Sequence, residues 1–300
     1  MQKEFLQEIV PELDFTGIAP PFKLFRYDRA EDRYYFRFLS EGSKGYLSVT
    51  SFVKKILPTS PFLINWLQAY GEEGAKYISN MRAEYGTQTH ILTTELERTG
   101  RGDWDEIRKY GFEAAINAGY KSEALEWEAE IVNDVFSYLV FRKEREVETI
   151  AAEFPICSDK YGLAGMIDRV VRLKFGKTKV NAIIDYKSGR KGFWDSHKIQ
   201  LHCYMQMWNE WFGDLFPVTH CFNLAPAADA LKAKSRYKLE NQTDATLTGE
   251  SQPIRDYIGD LMASAITRGM VNPPNSHFEL MGSFDLETFN PDEHIFEQKI

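Results

Sequence analysis

Residues 162–189, "GLAGMIDRVVRLKFGKTKVNAIIDYKSG", read as two strands joined by a tight turn. The turn falls on Phe175-Gly176-Lys177-Thr178, where glycine at the first central position suits a type II′ hairpin. Pairing Phe175 with Thr178 sets Asp168 opposite Asp185, with Cβ atoms about 4.5–5.5 Å apart on one face. A longer turn breaks that register and leaves two unrelated surface charges. Neither strand has the composition of a solvated edge. Asp168 shares its face with Met166 and Val170, and Ile183 and Ile184 cover both faces of the second strand. Two carboxylates opposed in an apolar setting repel and lose solvation. A divalent cation between them removes that conflict. Lys187 follows Asp185 on the same face, its Cα roughly 6.5 Å further along. Its amine there reaches a water or a phosphate oxygen beside such an ion.

A helix over about 196–212, "SHKIQLHCYMQMWNEWF", adds a second signal. Ile199, Leu201, Cys203, Tyr204, Met205, Met207, Trp208, Trp211 and Phe212 fill a broad apolar arc, with Lys198, His202, Gln206, Asn209 and Glu210 outside it or at its edge. Gln200 sits inside the arc, one turn before Tyr204. A buried amide needs partners. It is either a satisfied core glutamine or half of a Gln–Tyr pair facing the metal site and the substrate backbone.

The bulk properties bound the rest. The chain has 300 residues, 43% of them hydrophobic, enough for one large domain or two modest ones with a real core. No run of about eighteen apolar residues appears, so no membrane span is expected. The start, "MQKEFLQEIVPELDF", lacks a secretory layout. Cys157, Cys203 and Cys221 are odd in number and widely spaced, against a disulfide framework, a zinc knuckle or a four-cysteine iron–sulfur cluster. A reducing, cytoplasmic setting is expected. The net charge of −8 taken alone disfavours a nucleic-acid partner. The charge is uneven, however: residues 271–300 hold six acids against the single base Lys299, which leaves room for a local basic groove elsewhere.

Along the chain, residues 1–45 form an N-terminal extension in which strands are expected ("KLFRY", "RYYFRFL"). Thr50 or Ser51 is expected to cap a short helix that ends at Pro58. Residues 61–145 are mostly helical; in "EALEWEAEIVNDVFSYLVFRK" an apolar face is expected through Leu125, Ile131, Val135 and Leu139. From Ile150 the period changes to strands. After the helix at 196–212, strand-like pieces lie at "VTHCFNLAP" and "SRYKLEN". A helix at about 253–268 and an acidic tail at 271–300 end the chain. The core thus divides into a helical part at 46–147 and a sheet part at 148–270.

"GMIDRV", "IIDYKSG" and "QLHCY", in that order, resemble motifs of the PD-(D/E)XK nuclease superfamily, and more closely its RecB-like branch. That branch includes nuclease domains of recombination helicases, CRISPR-associated single-strand exonucleases, a mitochondrial genome maintenance exonuclease and phage-encoded nucleases. The likeness spans roughly 46–225. "YGTQTH" resembles the first motif and implies a metal-ligand role for His90. "AAEFPIC" resembles the acid on the strand before the hairpin, implying that Glu153 binds metal or orients a water or Lys187. Asp168, Asp185 and Lys187 match the central acids and lysine, and Gln200 and Tyr204 match the Gln-x-x-x-Tyr signature. "YLSVTSFV" resembles an entry segment of some phage and mitochondrial relatives. The cysteines of the iron–sulfur subgroup are missing, so cluster-dependent end binding does not carry over.

The resemblance implies an α/β, restriction-endonuclease-like core: a mixed central β-sheet flanked by helices, with an N-terminal helical segment covering the site. It implies one or two Mg²⁺ or Mn²⁺ ions held by His90, Asp168, Asp185 and the Tyr186 carbonyl. Arg190, Lys191 and Lys198 contact phosphates or lie on a solvated face. The implied activity is metal-dependent hydrolysis of DNA by a sequence-independent exonuclease preferring single strands, in replication, recombination or repair. The alternatives are a structure- or site-specific endonuclease on the same core, and a non-catalytic nucleic-acid-binding or scaffolding protein.

Overall fold

The computed structural model describes residues 7–9, 13–14, 22–29, 32–39, 42–58, 61–188, 192–230, 234–267, 276–280 and 295–299. In chain order its strands are β1 (Gln7–Ile9), β2 (Leu13–Asp14), β3 (Leu24–Arg29), β4 (Asp32–Leu39), β5 (Gly42–Ser48), β6 (Glu148–Ser158), β7 (Leu163–Phe175), β8 (Thr178–Tyr186), β9 (His220–Pro226), β10 (Tyr237–Asn241), β11 (Ser276–Leu280) and β12 (Ile295–Lys299). The α-helices are α1 (Val49–Ile56), α2 (Pro61–Thr99), α3 (Trp104–Asn117), α4 (Ala124–Glu144), α5 (Asp195–Phe212) and α6 (Ile254–Thr267). Ten strands form one mixed sheet whose main path runs β1-β3-β4-β5-β7-β8-β9-β10, with β6 and β2 branching from β7. The strands of the N-terminal segment are therefore part of the central sheet, joined to it by parallel pairing of β5 with β7. In the acidic tail, β11 and β12 pair antiparallel in a small sheet of their own.

The hairpin β7–β8 has the expected register, from Phe175↔Thr178 to Arg169↔Ile184. Gly176 takes φ 62° at the first central position of its turn, a conformation glycine adopts without steric cost. The pairing stops one step short of Asp168 and Asp185. β6 occupies one edge of β7 along its length, from Leu163 to Arg172. The other edge is shared: β8 holds 169–175 and β5 holds 163–164. Residues 165–168 of that edge thus face a fork between β8 and β5, and the sheet carries its acids there.

Two layers of helix cover the sheet. On one side, α1, α5 and α6 bury Ile183, Val170, Phe154 and Trp208 in the main core. On the other, α4 covers Ile184, Val171 and Phe222 through Tyr138 and Phe141. Helices α2, α3 and α4 share a further core around Trp127, Ile131, Tyr85 and Leu92. Helix α2 breaks at Gly71 (φ 69°, ψ 168°).

Three local expectations are corrected. Ser48 caps α1, its hydroxyl accepting from Ser51 N at 3.0 Å. The capping serine thus stands at the end of β5 rather than at Thr50 or Ser51. In α4 Ile131 and Val135 are buried as expected, but Leu125 is 73% exposed and Leu139 is also exposed, and the buried stripe takes in Trp127, Asp134, Tyr138 and Phe141 instead. The stripe is rotated because α4 buries polar groups with assigned partners. Asp134 accepts from Tyr85 OH (2.9 Å), and Asn133 bonds Ala227 O (2.9 Å) and Ala230 N (2.7 Å). Likewise His202, placed at the edge of the α5 arc, is fully buried and bonds Gln242 O at 2.8 Å.

Helix α5 closes on the fork where β7 has no side chain. A Cβ on Gly165 would stand 2.7 Å from the Tyr204 ring and hydroxyl. Tyr204 is buried, so the ring has little room to yield. Gly165→Ala is expected to destabilise the fold by about 1–3 kcal/mol through overpacking, read as a lower midpoint in urea. An unchanged midpoint would show that α5 can move away from β7.

Candidate active site

Asp168 lies at the fork, just past the last rung of the β7–β8 ladder. Its Oδ2 accepts from Tyr186 N at 2.8 Å, taking over a backbone donor that the diverging strands leave unpaired. Asp185 is 2% exposed. Its Oδ2 accepts from Asn223 Nδ2 at 2.7 Å, and its Oδ1 lies 2.6 Å from Lys187 Nζ. That ion pair is the contact Oδ1 makes among the described residues.

His90 arrives from α2, on the far side of the fork. Its Nδ1 lies 3.0 Å from Glu153 Oε1, its Nε2 2.9 Å from the Tyr186 carbonyl and 3.8 Å from Asp168 Oδ2. The ring stacks on Tyr186 at 5.6 Å. Close packing brings the helix there: Gly86, one turn earlier, approaches Ser188 just beyond Lys187. Glu153 has φ 45°, a left-handed conformation uncommon outside glycine, held in the middle of β6. Such local strain tends to gather at functional sites.

Both His90 nitrogens face acceptors, which suits the doubly protonated ring. Burial alone lowers its pKa, but the Asp168 and Glu153 carboxylates outweigh that and hold it at about 9. Asp168 is lifted to about 6 by burial, reinforced by Asp185 and Glu153 and opposed by His90 and Lys187. Burial opposes the charge on Lys187, yet Asp185 and Asp168 raise its pKa. The acids hold one another's charge at a cost, and protons relieve it.

Among the described residues, His90, Glu153 and Asp168 are the group whose ligand atoms lie within 4.8 Å of one another. Three features fit a divalent cation: the elevated Asp168 carboxyl, the buried Asp185 carboxylate beside it with Oδ1 facing Lys187, and a donor set of hard oxygens with one imidazole. Such a set suits Mg²⁺ or Mn²⁺.

A family model described as the PD-(D/E)XK nuclease superfamily matches residues 65–268. The chain belongs to the PD-(D/E)XK nuclease superfamily. A comparison with curated proteins found no match. The fold is that of this superfamily, a mixed sheet flanked by helices, and the match takes in every site residue named above. PD-(D/E)XK nucleases use divalent metals. No helix among the described residues is long and apolar enough to cross a membrane.

The remaining expected site residues divide between the fork and elsewhere. Gln200 lies within hydrogen-bond reach of the buried Tyr204 hydroxyl, whose pKa burial raises well above normal, with Tyr35, Asp168 and Asp185 also contributing. The Gln–Tyr pair therefore lines the fork. Lys198 is turned away, paired with Asp195 at 2.9 Å and reaching Thr246 O at 3.3 Å. Arg190 and Lys191 lie outside the described residues. Sequence reasoning overlooked Asn223, Arg169 and Glu97. Asn223 and Arg169 are visible afterwards as polar residues inside apolar strand runs, "THCFNLAP" and "GMIDRVV". Glu97, in the polar run "TTELERT", gives no such signal.

The proton balance makes a testable statement about the metal-free protein. The folded state raises His90 from 6.5 to about 9 and Asp168 from 3.8 to about 6. Each raised value stabilises the fold below the unfolded pKa, and the contribution is lost as pH rises through the folded one. The metal-free melting temperature is therefore expected to fall as pH rises from about 6.5 to 9, the His90 window. Mn²⁺ must displace the His90 proton, so its affinity is expected to rise over the same interval. Scanning fluorimetry with and without Mn²⁺ checks both. A melting temperature that climbs across that interval without metal would contradict the assignment.

Proposed function

We propose that this nuclease degrades DNA without sequence preference, acting as an exonuclease on single strands in replication, recombination or repair. The observation that carries the reading is the convergence of His90, Glu153 and Asp168 beside the Asp185–Lys187 pair at the sheet fork. We read residues 46–270 as the nuclease domain, with helical and sheet parts dividing at about 147.

His90 Nε2, the carboxylates of Asp168 and Asp185 and the Tyr186 carbonyl are the groups that would hold one or two ions. A bound Mg²⁺ or Mn²⁺ supplies Lewis-acid polarisation of the phosphate and a water of lowered pKa. Asn223 keeps Asp185 oriented by occupying Oδ2, which leaves Oδ1 for the ion and for Lys187. Lys187, beside Asp185, positions the attacking water and balances charge developing on the phosphate. Glu153 holds His90 by its other nitrogen, the usual support of a metal-binding imidazole. Gln200 and Tyr204 form the inner wall against which the strand backbone lies. Arg190 and Lys191 add phosphate contacts in this reading, whereas Lys198 is already engaged by Asp195.

The preference for single strands follows from the roofed site. Helix α2 carries His90 over the acids and is packed onto the sheet there, so in this reading the substrate reaches the site through a narrow approach beside the helix. A lone strand enters such a passage more readily than an intact duplex. Backbone contacts then dominate, giving strong salt dependence and little sequence preference.

With Mg²⁺ or Mn²⁺, linear single-stranded DNA is expected to be degraded faster than blunt duplex, and closed single-stranded circles to resist. Rapid cutting of closed circles would favour an endonuclease. Lys187→Ala is expected to lose about 100-fold or more in turnover while keeping Mn²⁺ affinity, measured by single-turnover cleavage beside calorimetry. Near-normal turnover with weak DNA binding would reassign Lys187 to substrate docking.

A further inference from the structure

Arg169 follows Asp168 on β7 and is 3% exposed. A guanidinium carries five N–H donors in a fixed fork, and here all of them have acceptors. Nη1 donates to Glu153 Oε1 (3.1 Å) and the Asp168 carbonyl (2.7 Å). Nη2 donates to Thr94 Oγ1 (2.6 Å) and Thr93 Oγ1 (3.2 Å). Nε donates to Tyr138 OH at 3.3 Å and lies 3.5 Å from Glu97 Oε2. One side chain thus ties β6, β7, α2 and α4 together at the level of the acids.

Its contacts on α2 fall on the turn that carries His90. The Thr94 hydroxyl donates to His90 O (2.8 Å), and that of Thr93 to Thr89 O (2.9 Å), so each relays between the guanidinium and the backbone at His90. Further along the helix, the nearly buried Glu97 accepts from Tyr138, Arg142 and Thr149. On β6, Arg169 and His90 meet at one atom, Glu153 Oε1. Arg169 therefore holds the imidazole from two directions: through the helix backbone and through the carboxylate bonded to Nδ1.

We infer that Arg169 is the positioning residue of this site, setting the place and ring orientation of His90 relative to Asp168 without touching the ion or the DNA. The inference rests on reading the cluster as a metal site. A lysine keeps the charge but has a single nitrogen with three donors, so it cannot span Glu153, Asp168 O, Thr93 and Thr94 together. The loss in Arg169→Lys is thus a loss of geometry more than of charge.

The test is calorimetric titration of the metal-free full chain with Mn²⁺, with ¹⁵N spectra of its histidine rings. Arg169→Lys is expected to weaken Mn²⁺ binding by about 10-fold or more, the scale typical of groups that orient metal ligands. The His90 Nδ1 resonance should shift, and the KM for DNA should stay near the wild-type value. In a Glu153→Gln background the same change is expected to add less, because part of its action passes through Glu153. A folded Arg169→Lys protein with wild-type Mn²⁺ affinity and an unmoved His90 spectrum overturns the inference. So does full additivity with Glu153→Gln. Should Arg169→Lys fail to fold, Thr94→Val cuts the helix-side anchor alone. A smaller loss of Mn²⁺ affinity then supports the inference, and unchanged affinity overturns it. A wild-type chain that binds no Mn²⁺ defeats instead the reading of the site as a metal centre.

Discussion

Strand β7 runs out of neighbours on one edge between β8 and β5, and the candidate site of this protein depends on that gap. Within the ladder, side chains alternate and backbone groups satisfy one another. Past Arg169 and Ile184 the strands part, and the carboxylate of Asp168 takes the Tyr186 N–H in place of a backbone partner. An acid can sit this deep because the fork offers it a donor. Its charge is disfavoured there by burial first and by the nearby Asp185 and Glu153 second, and its elevated pKa expresses both. The opposed acids of the hairpin gather positive charge around them: Lys187 on Asp185, His90 between Glu153 and Asp168, and Arg169 behind.

The helical layer completes this arrangement. Helix α2 brings His90 across the fork, and the buried Arg169–Glu97 network keeps the helix at the height where the ring reaches both Glu153 and the Tyr186 carbonyl. Breaking one partner of such a buried charged network typically costs about 3–5 kcal/mol, because the other charge stays behind unpaired. The last turns of α2 are thus held to the sheet by charge, while apolar packing with α3 and α4 holds its middle.

Much of this was legible in the chain itself. The glycine of a two-residue turn set the hairpin register, and the register put both acids together. Lys187 followed from strand alternation alone. His90 and Glu153 carry no such local signal; their place at the site was expected only through resemblance, since a helix-to-sheet contact leaves no periodicity. The face of α4 was half placed: Ile131 and Val135 are buried, but hydrophobicity also points to Leu125 and Leu139, whereas the protein buries Asn133 and Asp134 with hydrogen-bond partners. The end of the ladder was equally hidden. Where β8 leaves β7 depends on β5 taking over the same edge, a pairing between segments more than a hundred residues apart in sequence.

The most direct test of the account is an anomalous difference map from a crystal of the protein soaked in Mn²⁺. The account predicts a peak at the fork, bounded by His90 Nε2, the Asp168 and Asp185 carboxylates and the Tyr186 carbonyl. Soaking Asp185→Asn in the same way should weaken or remove it. Saturating Mn²⁺ that leaves the fork empty, or a peak bound away from these four groups, would contradict the account.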